Sequence, residues 1–172
     1  AKDDQIVSMF RTSTRSSYGL VTSAGRLVLA HVVELPKVSA DGPLSVTGGV
    51  KAEELLGMTE NTDPIRGERV IAAIDMPSTD DGGQLVPLAL GTRNGVVKRW
   101  NRESPTTMDS WSVIDLKDDD EVLAAAEARD EDRLVFVSTD SSLLTFEAKN
   151  VRPQGRTAGG MAGIRLAEGC SV

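Results

Sequence analysis

Two stretches of the sequence gather cations without any acidic residue. They cover residues 91–102 and 148–166, and each carries a local charge of +4. Their cations are, in chain order, Arg93, Lys98, Arg99, Arg102, Lys149, Arg152, Arg156 and Arg165. Clustered Lys and Arg side chains can neutralise phosphate groups, so both stretches predict phosphate binding despite a formal net charge of −7. Judged by charge alone, a second interpretation is equally good: the charged residues of both signs simply lie in solvent-exposed turns.

The sequence lacks the residues that the common kinds of catalytic site need. His31 is the only histidine and Cys170 the only cysteine, which excludes a disulfide framework, a cysteine–histidine nucleophile pair and an ordinary zinc cluster. Tyr18 alone could act as a DNA-cleaving nucleophile, but it lies in an apolar run that predicts a core position. We therefore expect no catalytic residue, no metal and no cofactor.

A glycine-rich run and several acidic runs are best interpreted structurally. The glycines at 155, 159, 160 and 163 are not followed by the Lys-Ser/Thr of a nucleotide-binding loop and do not open a helix. They predict close backbone approach where one structural unit meets the next. The acidic runs 118–121 and 130–132 lack the spacing of a calcium loop and predict exposed turns.

The apolar residues occur in short runs separated by turn residues, which predicts an all-β protein. The turns Ser23-Ala24-Gly25 and Asn94-Gly95 predict tight hairpins. One short helical segment is expected at 50–56, and no apolar run is long enough to span a membrane. The predicted strands are 6–10, 18–22, 26–33, 70–74, 85–91, 96–100, 112–116, 122–128, 134–138, 143–146 and 161–166.

The order of strands and turns repeats along the chain at offsets of 46 to 52 residues. The matched pairs are Val70 with Val122, Leu88–Thr92 with Leu134–Ser138, Trp100 with Phe146, and Ile114–Leu116 with Ile164–Leu166. Four strands per repeat of this length are typical of propeller-like blades, although an ordinary β-sandwich also has short, regularly spaced strands. The expected units are 5–66, 67–117 and 118–166, with Val172 where a further strand should begin. Trp100 and Phe146 should pack between blades.

The segment Val151–Leu166, VRPQGRTAGGMAGIRL, resembles a signature in the C-terminal domain of the A subunits of bacterial type II topoisomerases, the DNA gyrase and topoisomerase IV family. Residues 88–100 resemble a recurrent hairpin of that family, residues 19–26 do so more weakly, and residues 39–64 match loosely. The glutamine-containing basic box that marks the first blade of gyrase is absent. The resemblance implies a β-pinwheel, a six-bladed propeller-like disc whose neighbouring blades exchange strands. The 172 residues would form about three of those blades.

The resemblance also implies a function. DNA would wrap and bend around a basic rim, and a larger enzyme would use the presented DNA for ATP-dependent strand passage. The rest of the A subunit would supply the catalytic tyrosine, an ATP-hydrolysing B subunit would be its partner, and the location would be the cytoplasm, at the nucleoid. The expected DNA contacts are Arg26, Lys98, Arg99, Arg102, Lys149, Arg152, Arg156 and Arg165. The alternative is a propeller-type protein-interaction scaffold, although the usual Gly-His and Trp-Asp marks are missing.

Three units from a larger ring would have two open faces, near residues 6–10 and 161–166. Blade arrays bury their apolar faces against neighbours, and unpaired strand edges are templates for association. We therefore expect such a chain to be less stable than one with further blades, and to self-associate.

Overall fold

The computed structural model describes residues 6–35, 49–52, 54, 67–76, 85–117 and 119–172. Within these ranges the regular structure is almost entirely β, with short 3-10 helices at Val32–Glu34 and Ala148–Asn150. The all-β prediction is therefore confirmed. The strands are β1 Ser17–Thr22, β2 Arg26–His31, β3 Val70–Met76, β4 Leu88–Thr92, β5 Val96–Trp100, β6 Ser110–Ser112, β7 Val122–Glu127, β8 Arg133–Val137, β9 Leu143–Glu147, β10 Pro153–Gln154 and β11 Met161–Ala162.

Most predicted strands are present with shifted ends, but the one at 6–10 is wrong. Residues 6–10 have no regular structure, and Ile6, Val7 and Met9 are 77%, 79% and 86% exposed. Little apolar burial therefore offsets the entropy of ordering this segment. The predicted strand at 112–116 is also displaced, because β6 ends at Ser112. The helical prediction at 50–56 falls mostly outside the described residues.

The strands of the described residues form three sheets, which we call the first, second and third blades. The first blade has the order β3-β1-β2-β6, and the second has the order β10-β5-β4-β7 with β11 also paired to β5. The third blade contains the β8–β9 hairpin among the described residues. Pinwheel blades with strand exchange are confirmed, because β3 and β6 flank the second hairpin in sequence but join the first blade.

The exchange follows the same register in the first two blades. Val70 lies opposite Thr22 and Val122 lies opposite Thr92, with a register shift at each place. This confirms the 52-residue offset between Val70 and Val122. The unit boundaries assumed from sequence therefore cut across the sheets, because each blade combines a hairpin from one unit with strands from the next.

The same contacts recur at the third blade. The amides of Ser23 and Arg93 donate to the carbonyls of Arg69 and Glu121, at 2.8 and 2.9 Å, and the amide of Thr139 donates to Ser171 at 2.8 Å. Ser171 therefore occupies the position that Arg69 and Glu121 hold in the earlier repeats. Val172, the next residue, lies where Val70 and Val122 begin their strands, as predicted.

The core lies between blades. Trp100 and Trp111 are 0% and 3% exposed and make an edge-to-face contact with ring centroids 6.5 Å apart. Phe146 stacks on Phe136 of its own hairpin at 6.1 Å, and both rings pack in a cluster with Val97 of the second blade. The predicted packing role of Trp100 and Phe146 is confirmed. Tyr18 is 4% exposed in a separate core cluster, and burial raises the pKa of its hydroxyl, which is the opposite of what a nucleophile needs.

The tight turns of the first two hairpins contact the chain of the following repeat. Gly95 has a φ of +80°, and a β-carbon there would lie 2.5 Å from the carbonyl oxygen of Ile164. The amide of Ile164 in turn donates to the carbonyl of Gly95 at 3.1 Å. Gly25, with a φ of +73°, lies against Ile114, where an added β-carbon would be 2.7 Å from the side-chain Cγ2 atom. Only glycine permits both the backbone angle and the approach.

Replacing Gly95 with alanine should therefore lower the free energy of unfolding by about 2–4 kcal/mol, since backbone strain adds to a collision with the main chain. Gly169→Ala is the matched control, because Gly169 has a φ of +76° but no atom within 4 Å of the added carbon. It should cost about 1 kcal/mol from backbone strain alone. Urea unfolding measures both, and equal losses would contradict the inter-repeat contact.

Candidate nucleic-acid interface

The first cationic stretch does not form a basic surface. The Lys98 side chain on β5 is buried, and its Nζ donates to the carbonyls of Arg156 and Ala158 at 3.0 and 2.6 Å. Strand β5 pairs with β4 on one edge and with β10 and β11 on the other, so it is interior to its sheet. The prediction that Lys98 contacts a phosphate is not supported by this position.

Arg99 is buried on the same strand, with 2% of its surface exposed. Its Nη1 donates to the carbonyls of Ala148 and Val151 at 3.0 and 3.2 Å, and its Nη2 donates to Ala128 at 2.9 Å. Nη2 also lies 2.8 Å from the carboxylate of Asp130, which is itself mostly exposed. These contacts occupy the guanidinium within the protein and leave it unavailable to DNA.

Arg102 joins two strands instead of facing solvent. Its Nη1 pairs with Glu127 at 2.6 Å, and its Nη2 donates to the carbonyl of Asp75. Arg102 is 4% exposed and has a φ of +64°, unusual for a residue with a side chain. The structure thus corrects the expected exposure of all three cations, because their strand and its continuation pack beneath the next repeat.

Arg26 is also engaged. Its Nε and Nη2 make a two-pronged ion pair with Glu68, each contact measuring 2.7 Å, and its Nη1 reaches Ser110 at 3.4 Å. A two-pronged arginine–carboxylate pair is among the stronger polar contacts in proteins. Arg26 therefore links β2 to the residues that precede β3.

The second stretch, residues 148–166, contains exposed cations, and we call it the basic segment. Lys149 is exposed and pairs with Glu147 at 2.5 Å, which lowers the pKa of that carboxyl. Arg152 and Arg165 are exposed, and Arg156 is half-buried. The side chains of these three arginines form no hydrogen bond or ion pair within the described part of the chain.

The basic segment lies along β5 of the second blade. Pro153 and Gln154 form β10 opposite Arg99 and Trp100. At Gly160, whose φ is +81°, an added β-carbon would lie 2.6 Å from the carbonyl of Val97. The expected close approach of the glycine run at a blade junction is thus confirmed.

Acidic residues border this surface. A Glu103 carboxylate oxygen lies 3.4 Å from where a β-carbon of Gly155 would stand. Elsewhere Glu121 receives both Arg69, at 3.0 Å, and Arg93. The cations that remain for an anionic partner are therefore confined to the basic segment and to scattered exposed residues.

Two other kinds of site find no support in the described ranges. These residues contain no group of His, Cys, Asp and Glu side chains placed to hold a metal ion. Nor does any of their helices have the length and apolar character needed to cross a membrane.

Comparison with known proteins connects this arrangement to a family. The family model described as the DNA gyrase C-terminal domain, beta-propeller, matches residues 132–169, which include the whole basic segment. The DNA gyrase A subunit from Mycolicibacterium smegmatis is 30% identical over 171 residues, and the one from Staphylococcus epidermidis is 30% identical over 176. The chain belongs to the family of C-terminal domains of type II topoisomerase A subunits.

Solved structures agree with the family fold. The C-terminal domain of DNA topoisomerase IV superposes with a TM-score of 0.71 at 24% identity, covering 92% of this chain and 46% of that one. The DNA gyrase A C-terminal domain gives a TM-score of 0.58 at 21% identity, covering 93% of this chain and 47% of that one.

The relatives are longer than this chain. The matches to the M. smegmatis and S. epidermidis proteins include 97% and 99% of this chain but 19% and 18% of those proteins. The matches therefore concern one part of those longer proteins.

The buried Lys98 should reveal itself through the pH dependence of stability. Burial lowers the pKa of its ammonium to about 8 from 10.5, and the Asp115 carboxylate only partly opposes this. Between these values the unfolded chain binds more protons, so the free energy of unfolding should rise with pH. The slope from this residue is at most about 1.4 kcal/mol per pH unit.

The measurement compares wild type with Lys98→Met by urea unfolding between about pH 8 and pH 10. Other titrating groups, including Tyr18, are common to both proteins. The stability difference, wild type minus variant, should increase with pH over this range. A constant difference would mean that Lys98 titrates as an ordinary surface lysine.

Proposed function

We propose that this chain is a non-catalytic DNA-binding and DNA-bending module of a type II topoisomerase A subunit, acting in DNA gyrase or topoisomerase IV. One observation carries the proposal: the side chains of Arg152, Arg156 and Arg165 have no partner among the described residues, and they lie within the segment matched by the gyrase C-terminal family model. The other side chains proposed for DNA contact from the sequence alone are either buried or ion-paired.

The basic segment fits the requirements of duplex binding without base recognition. Arginine and lysine neutralise phosphates and release condensed counterions, a contribution that carries no sequence information. Bending a site of 20–30 base pairs costs about 1–6 kcal/mol, which further phosphate contacts along the curve offset. Because the whole chain is acidic, binding depends on this local cluster and not on net charge.

The family relationship supports a place within a larger enzyme. The module would present DNA to the remainder of the A subunit, which would hold the catalytic tyrosine, and to an ATP-hydrolysing B subunit for strand passage. It would work in the cytoplasm, at the nucleoid. No cofactor is assigned to the module itself.

A protein-interaction role is the second candidate, favoured by the third blade. Val135, Val137 and Leu143 are 57%, 55% and 64% exposed on one face of the β8–β9 hairpin. Equivalent positions in the first blade, Val21 and Leu27, are fully buried against the next repeat. Retention on heparin that falls with salt distinguishes the roles, because an apolar contact is not weakened by salt.

DNA binding should fall steeply with salt. Each phosphate contact contributes a slope of about −0.9 to a plot of log affinity against log salt. For contacts from Arg152, Arg156 and Arg165 we expect a slope of about −3, measured by fluorescence anisotropy on unrelated duplexes between about 50 and 200 mM salt. Absent binding at low salt, or a flat plot, would refute the DNA role.

Removing the three arginines tests the assignment of the surface. Arg152→Ala, Arg156→Ala and Arg165→Ala together should weaken binding by about the same factor for every sequence and reduce the salt slope. The matched control replaces the exposed Arg11, Arg15 and Arg129 with alanine, an equal change in net charge at other places. Equal losses in both triple variants would point to overall charge and against this surface.

A further inference from the structure

The buried cations of β5 hold the main chain of the basic segment. Lys98 binds the carbonyls of Arg156 and Ala158, and Arg99 binds those of Ala148 and Val151. Asn101, two residues after Arg99, donates its backbone N–H to the carbonyl of Gln154 at 3.1 Å. Three residues of one blade therefore hold the segment at five carbonyl groups between positions 148 and 158.

Hydrophobic packing does not fix this part of the segment. Residues 152–159 contain no buried side chain, and two of them are glycine. Its placement therefore depends on hydrogen bonds, which come from β5 and its continuation and from the amide of Asp115, 3.2 Å from the carbonyl of Ala158. Donors on ionised groups make stronger bonds than neutral donors, which suits them to hold a loop that has no core of its own.

The anchored carbonyls alternate with the exposed cations. Lys149 lies between the anchors at Ala148 and Val151, and Arg152 directly follows the second of these. Arg156 presents its side chain while its own carbonyl accepts from Lys98. A shift of the anchored backbone would therefore move every cation in this part of the segment relative to a bound duplex.

We propose that Lys98 and Arg99 are positioning residues for DNA binding, which hold the phosphate-contacting side chains of the basic segment in place from the neighbouring blade. This inference rests on the proposed function. It assigns the two buried cations an effect on affinity although neither touches DNA.

A double-mutant cycle tests the proposal in the whole chain. The cycle compares four proteins: wild type, the single variant Lys98→Met, the double variant Arg152→Ala/Arg156→Ala, and the triple variant that combines them. The affinity of each protein for one short mixed-sequence duplex is measured by fluorescence anisotropy. If Lys98 acts through the segment, its replacement costs little once the two arginines are gone. Energies of groups that act through each other are not additive.

We expect Lys98→Met to weaken binding about fivefold, the arginine pair about tenfold, and the combination about tenfold, not the about fiftyfold that independent effects would give. A combined loss near the product, or wild-type affinity in Lys98→Met, would overturn the positioning role. Wild type that fails to bind, or an arginine pair without effect, would instead refute the DNA surface itself.

Controls separate positioning from loss of fold. Val28 is buried at the position of the first blade equivalent to Lys98, so Val28→Ala should reduce stability but leave affinity within about twofold of wild type. The near-ultraviolet circular dichroism of the buried Trp100–Trp111 pair reports an intact core. If Lys98→Met does not fold, Lys98→Gln, which keeps a shorter N–H donor, replaces it under the same criteria.

Discussion

Strand exchange between consecutive repeats is the constraint on which this structure depends. A two-stranded hairpin alone is marginally stable in water, because both edges and one face remain open. Here β3 and β6 complete the hairpin β1–β2, and β7, β10 and β11 complete the hairpin β4–β5. Every completed blade thus needs chain from the following repeat, which ties the stability of one unit to the presence of the next.

The strand exchange also explains why the cations on β5 are buried. A strand paired on both edges and packed on both faces has little surface left, so Lys98 and Arg99 become interior. A buried cation is costly unless hydrogen bonds and opposite charges compensate it. Backbone carbonyls of the next repeat supply most of that compensation, together with Asp130. The residues that form the blade junction are therefore also those that hold the basic segment.

The third blade buries less of its apolar surface than the first blade does. Its hairpin has the turn geometry of the others, with Ser141 at a φ of +65° where Gly25 and Gly95 stand in the earlier turns. Its outer face exposes Val135, Val137 and Leu143. The position of Val172, aligned with the first residues of β3 and β7, extends the register of the array.

The sequence by itself determined the all-β class, most of the strands, the repeat and the family, because strand alternation, the Asn94-Gly95 turn and the glycine-rich signature are local patterns. It also predicted that Trp100 and Phe146 pack between blades. Alternation along β5 placed Lys98 with Trp100 on one face and Arg99 with Val97 on the other, so each face combined an apolar and a cationic residue. That pattern was the available signal that these cations are not simply exposed.

Only the tertiary structure decided which cations face solvent. Lys98 and Arg152 are both cations without an acid nearby in sequence, yet one is buried and the other is exposed. The difference lies in the number of neighbouring strands and in the carbonyl groups that Lys98 receives from 58 and 60 residues away, and local composition contains neither. Burial of a charge depends on partners that only the folded chain brings together.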